Sequence, residues 1–434
     1  MITAVLALVY VVIVTVTANW CRKLDTYVSP LTMMGLSGLI YLVSIPLEVA
    51  VLGVPFGSMR TDSDASTVVG LAILAYAFFA AGYITVLNKR RTVSEVFARI
   101  EEEGGHLSAL PLVTSVAFAG IVLVLFPGAV TSVGTYDGNI TLMASNSAYA
   151  LLVKFAMQAY AIWAFAAPLR GRSATLLHSL VRALPLILWG IYSSDKDPLV
   201  LAGFTFFSLF FLRFREVRST AAFVTTLVGA SVAVGVATFA FSIVRGGGSG
   251  ILDRLRTSDG LFRNIEPAGP MRSILSALDQ PPGTRYLWGE SLLQGLIMWI
   301  PQSIWAGRPP DLSQQFAMEN VSNWEPGRAY GFSLVADGLL NGSLVGVALL
   351  FAITGALVGA IRNVLLRPSP YREFDAFKVG MLYTVGLFIC FVALRGPFSS
   401  VITQTVHASA LAVVLWVGVG LLRQKKPAIV RVRS

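Results

Sequence analysis

Apolar runs long enough to cross a bilayer recur along the whole chain, separated by short polar segments. The pattern predicts eleven spans. They fall near residues 2–20, 31–52, 68–87, 107–126, 148–167, 183–192, 199–212, 221–244, 344–361, 379–394 and 401–422. Only one polar region is extended, Arg245 to Asn341. Three units follow: a transmembrane bundle over 1–244, a large loop with short helices over 245–341, and a second bundle with a basic tail over 342–434. The sixth span is short and carries Pro185. The residues from Pro267 to Arg285, rich in Pro and Gly, read as irregular, and Ser291–Ile300 is apolar but too short to span. Ile251–Ile265 reads as an amphipathic surface helix, and the charged stretch from Lys89 to Glu103 as another.

Composition agrees with this pattern. The 434 residues are 55% hydrophobic and 13% charged, against about 25% charged in soluble domains. The expected class is an all-α polytopic membrane protein. The first run lacks a basic start and a small-residue cleavage site, so it reads as a retained span. The net charge of +10 lies mostly in alternate short loops and in the tail. That alternation places the C-terminus in the cytoplasm and the large loop on the opposite side. The charge therefore calls for no nucleic-acid partner. Cys21 and Cys390 read as small apolar residues. Three dispersed histidines give no expectation of a metal, and no cofactor is implied.

The large loop holds eight arginines, no lysine, and four of the eight tryptophans. Arginine grips phosphate or carboxylate with a two-pronged fork. Tryptophan offers a flat face to a sugar or a headgroup layer. An anionic, sugar-bearing or lipid ligand fits this mixture. So does an ordinary outer domain in an arginine-rich protein. Lys154 lies inside the fifth span, with Gln158 one turn deeper. A lysine there reads either as a functional group or as one snorkelling to the headgroups. Lys196 sits on the turn after the short sixth span, and Arg395 directly follows the tenth. His407, in the eleventh, reads first as an interhelical hydrogen-bond donor. Asp337 and Asn341 are four apart and share one face if helical.

Four pieces occur in a telling order. They are Ser193-Ser194-Asp195-Lys196; Gly289-Glu290-Ser291 with Ile300-Pro301-Gln302-Ser303-Ile304-Trp305 and Gly307-Arg308-Pro309; Gly331-Phe332-Ser333, Asp337 and Asn341-Gly342; and Leu394-Arg395-Gly396-Pro397-Phe398. Together they resemble the Wzy-type oligosaccharide repeat-unit (O-antigen) polymerases of bacterial inner membranes, over roughly residues 192–422. The chain departs from that pattern in carrying Arg308 where lysine is usual and Asp337 where glutamate is usual.

The resemblance implies a GT-C-like polymerase/ligase architecture and a metal-independent glycosyl transfer. Donor and acceptor would be undecaprenyl-diphosphate-linked glycans, at the periplasmic face of the membrane. The product would be O-antigen, capsule or exopolysaccharide. A chain-length regulator and a flippase would be further partners beside the bilayer. Under this reading Arg395, Arg328, Arg308, Lys196 and Arg285 serve the diphosphates, with Lys154, Tyr330 and His407 also on the binding side. Asp337 ranks first as proton acceptor, then Glu325 or Glu290, with His407 outside that group. Rival readings are an O-antigen ligase, a flippase or transporter for lipid-linked sugars, and a non-catalytic scaffold. The outer weighting of polar groups disfavours transport.

Overall fold

The structure is a computed structural model. It describes residues 1–21, 28–88, 109–128, 142–143, 146–166, 176–193, 195–209, 262, 267–280, 287, 289–300, 304–305, 307–320, 331–369 and 372–424. Among them all regular structure is helical, apart from one bridge pair, Phe56 and Met59. Seven helices are long and apolar enough to cross a membrane. The chain is therefore an all-α membrane protein. The eighth predicted span and the charged stretch from Lys89 to Glu103 lie outside the described residues, as do Ile251–Ile265 apart from Phe262 and the tail beyond Gln424.

The first half contributes α1 (Ile2–Cys21), α2 (Pro30–Gly38), α3 (Ser44–Leu52), α4 (Asp62–Val86), α5 (Leu110–Leu125), α6 (Ser147–Ala166), α7 (Leu176–Tyr192) and α8 (Lys196–Leu209). A π-helical turn at Leu39–Val43 joins α2 and α3 into one span. Pro185 does not end the sixth span, because α7 runs through it from Leu176. A proline inside a membrane helix is tolerated where neighbouring groups satisfy the freed carbonyl.

The large loop supplies α9 (Ala268–Leu278), α10 (Glu290–Gly295) and α11 (Leu312–Asn320). The expectation of irregular chain after Pro267 is corrected by α9. Pro267 and Pro270 fall at its start, where no backbone N–H is needed. Buried Met271, Ile274 and Leu275 form the helical stripe that seats it. Helix α10 is short, as its length predicted, and its Gly295 lies against Ser399.

The C-terminal part contains α12 (Leu334–Leu365), α13 (Arg372–Met381), a π turn (Leu382–Gly386), α14 (Leu387–Arg395) and α15 (Phe398–Gln424). Beyond Lys378 the span through α13 and α14 is apolar all round, and that part is buried within the bundle as such a pattern requires. It is the central post of the bundle, and Arg395 is its last residue.

Two features hold the bundle in register. Helices α4 and α12 make the broadest contact, backbone against backbone. A Cβ on Gly82 would lie 2.1 Å from the Ala352 carbonyl oxygen, and one on Gly355 would lie 2.1 Å from that of Phe79. Gly355 and Gly359 thus form a small-xxx-small groove. The second feature is a break in α12. Gly342 and Ser343 leave helical geometry, and Ser343 takes φ 56° with ψ −140°. Residues 334–341 fold back so far that Gly338 packs on Gly346 and Val347. The break falls just before Leu344, where the apolar pattern begins its ninth span.

Candidate functional site

Asp337 sits on the short arm before this break and is wholly buried. Ser333 caps that arm by accepting from the Val335 N–H. One turn on, Asn341 Nδ2 donates to the Asp337 carbonyl at 2.9 Å and to its Oδ1 at 2.7 Å. Ser291 Oγ donates to the same Oδ1 at 2.7 Å and accepts from Asn341 Nδ2 at 2.6 Å. The Phe398 N–H donates to Oδ2 at 2.8 Å. Asn341 Oδ1 in turn accepts from the Gly289 N–H at 2.8 Å. The carboxylate thus sits on the N-terminus of α15, where the helix dipole favours negative charge. It joins α10, α12 and α15 at one point.

Three residues before Phe398, Arg395 ends the central span. Its guanidinium donates to Asp197 Oδ1 at 2.6 Å and lies 5.3 Å from the centre of the Phe391 ring. Asp197 opens α8, directly after Lys196, and its N–H donates to Asp195 Oδ1 at 3.2 Å. Burial and the neighbouring Asp197 push the Asp195 carboxyl up to about 6. Lys154, on α6, faces the same two aspartates and makes no hydrogen bond or ion pair with a described residue. His407 packs edge-on against Phe155, with ring centres 6.1 Å apart.

Lys154, Lys196, Arg395, Ser291 and Asp337 are therefore gathered at one end of the bundle, with His407 below them. They come from six separate helices. Ranked first as proton acceptor in the sequence reading, Asp337 here has three protein donors and no exposure. Glu290 is exposed and accepts from Gln294 at 3.0 Å. Arg308 donates through Nη1 to the carbonyls of Met298 (2.6 Å) and Ile300 (3.0 Å), so it clasps the turn after α10. Arg285, Glu325, Arg328 and Tyr330 lie outside the described residues. Sequence reasoning missed Asp195 and Asp197 as partners of Arg395. The signal was present in the paired acids flanking Lys196. It also missed Ser291 as a ligand of Asp337.

Beside this cluster Leu293, Leu296, Trp299, Ile304 and Trp305 are exposed. A surface this apolar suits acyl chains and headgroups, with the tryptophans at the boundary. Among the described residues no three His, Cys, Asp or Glu side chains are placed to hold a metal ion. Comparison with protein-family models, with curated proteins and with solved structures returns no match.

Proposed function

We propose that this chain is a lipid-diphosphate-dependent glycosyltransferase that polymerises oligosaccharide repeat units at the periplasmic face of a bacterial inner membrane. The observation that carries the reading is the meeting of Arg395, Lys196 and Lys154 at one bundle end, beside an exposed apolar strip. Clustered cations at a membrane surface are what a diphosphate leaving group requires. The strip gives a prenyl tail a place beside them.

In the proposed step a hydroxyl oxygen of the acceptor glycan attacks the anomeric carbon of the donor. The bond from that carbon to the diphosphate oxygen breaks, and undecaprenyl diphosphate leaves with the electron pair. Arg395 and Lys196 offset the charge that develops on it. Asp197 holds Arg395 before the lipid arrives and yields it to the phosphate, a stronger multi-oxygen partner. Asp337 acts as a positioning residue. It fixes the first turn of α15 and with it the corner that aims Arg395. The proton from the attacking hydroxyl passes to a carboxylate on the loop side, Glu290 or Glu325.

The test is polymerisation by purified protein in detergent, supplied with a lipid-diphosphate-linked repeat unit from the same cell. A ladder of multiples is expected. Arg395→Ala abolishes it and Arg395→Lys keeps part of it. Unchanged substrate beside an active control enzyme overturns the reading. Transfer to a different acceptor without a ladder makes the protein a ligase.

A further inference from the structure

Below the cation cluster the bundle interior carries polar groups that the transfer step leaves unused. Gln158 lies one turn below Lys154 on α6 and is 2% exposed. Its Oε1 is buried without a hydrogen-bond partner. Gln404 and His407 lie three apart on α15, so they share a face. Gln404 Oε1 and His407 Nδ1 are also buried without partners.

Depth brings these groups to one level. Helices α6 and α15 both start at the end that holds Arg395 and Asp197. At 1.5 Å per residue, Lys154 and Gln158 lie about 10 and about 16 Å below the start of α6. Gln404 and His407 lie about 9 and about 14 Å below the start of α15. The contact of Phe155 with His407, and the electrostatic reach of Lys154 to His407, join the two faces.

Two orphan amide oxygens in a membrane interior ask for a ligand that donates hydrogen bonds, and the unpartnered ring nitrogen beside them can give or take one. A diphosphate has no donors at neutral pH and would be repelled by lone pairs. Sugar hydroxyls are donors in quantity. We infer that Gln158, Gln404 and His407, with Lys154 above them, line a saccharide pocket that takes hydroxyl groups of the glycan while Arg395 and Lys196 take the diphosphate. The inference rests on the glycosyl-transfer reading and divides its substrate between two levels of one site.

The test separates the two ligands. The saccharide probe is the lipid-free repeat-unit oligosaccharide released from the same cell's surface polysaccharide. The lipid probe is farnesyl diphosphate, which carries no sugar. Binding of each to purified protein is measured for wild type, Gln158→Leu, Gln404→Leu and Arg395→Ala. The leucine variants should weaken saccharide binding about ten-fold or more, with farnesyl diphosphate binding within about two-fold of wild type. Arg395→Ala should show the reverse. Only variants that melt like wild type count, and the shorter Gln158→Asn replaces Gln158→Leu if that one does not. Unchanged saccharide binding in the variants, or none by wild type, overturns the pocket. Failure of the wild type to bind farnesyl diphosphate counts instead against the transfer reading.

Discussion

Replacing Asp337 by asparagine separates a positioning role from a proton-accepting one. Asparagine keeps the shape but offers one acceptor oxygen and one donating amide. Three donors converge on the present carboxylate: Ser291 Oγ and Asn341 Nδ2 on one oxygen, the Phe398 N–H on the other. If the new oxygen keeps Ser291 and Asn341, the amide points at the Phe398 N–H, donor against donor. If it turns, Phe398 is served, but Ser291 Oγ and Asn341 Nδ2 both lose their acceptor and meet a donating amide. The first arrangement loses fewer bonds, so one charge-assisted bond goes, at about 2 kcal/mol. Alanine removes all three and leaves a buried Phe398 N–H with nothing to meet, so its cost is about twice as large. The assay is thermal melting in detergent, run beside turnover. Positioning predicts that melting temperature and turnover fall together, alanine further than asparagine, with an unchanged pH profile. An Asp337→Asn protein that melts like wild type but does not turn over would refute the argument and restore Asp337 as the proton acceptor.

Other perturbations test other parts. Gly355→Leu places a side chain where even a Cβ would lie 2.1 Å from the Phe79 carbonyl oxygen. It should split α4 from α12 and abolish the folded peak in size-exclusion chromatography, whereas Ile353→Leu on the exposed face should not. Ser343→Gly relieves a positive φ and should raise the melting temperature, by about 1 kcal/mol of stability. Asp195→Asn should stabilise the protein at pH 7.5. The folded carboxyl is raised to about 6 by burial and Asp197, so its charged form destabilises the fold. That penalty is full above pH 6 and fades as pH falls toward the ordinary carboxylate range, so the melting gain should fade by pH 4.

Seven of the eleven predicted spans coincide with described helices long and apolar enough to cross a membrane, and three more fall on the shorter helices α5, α7 and α8, because an apolar run marks a membrane helix whatever it packs against. The helical spacing of Asp337 and Asn341 was equally legible, since it depends on local periodicity. Helix α9 was not. Its prolines read as breakers until their place in the first turn is known. The ion pair from Arg395 to Asp197 crosses 198 positions of sequence. No spacing rule reaches that far, and two acids beside a lysine read as an ordinary polar turn. Ser291 stands out in the sequence only as part of a motif, because a serine carries no signal of its partner until the chain folds.

The Asp337 node explains why pieces far apart in sequence act as one. Ser291 lies in the first turn of a helix too short to hold itself. Asn341 stands beside a break that stores strain at Ser343. Phe398 begins α15 with an N–H that has no helical acceptor. Each of these weaknesses is met by the same buried carboxylate. Helix α10 gains an anchor, the strained arm gains a tertiary hold, and the orphan N–H gains an anion. The chain from Arg395 to Phe398 is then fixed at both ends, by the buried central span before it and by Asp337 after it. A guanidinium so held loses little freedom when it exchanges Asp197 for another anion, and that is the condition for stabilising charge as it develops. Loosening the node should therefore reduce turnover more than it reduces binding of a prenyl diphosphate, because binding tolerates a mobile arginine and transition-state stabilisation does not.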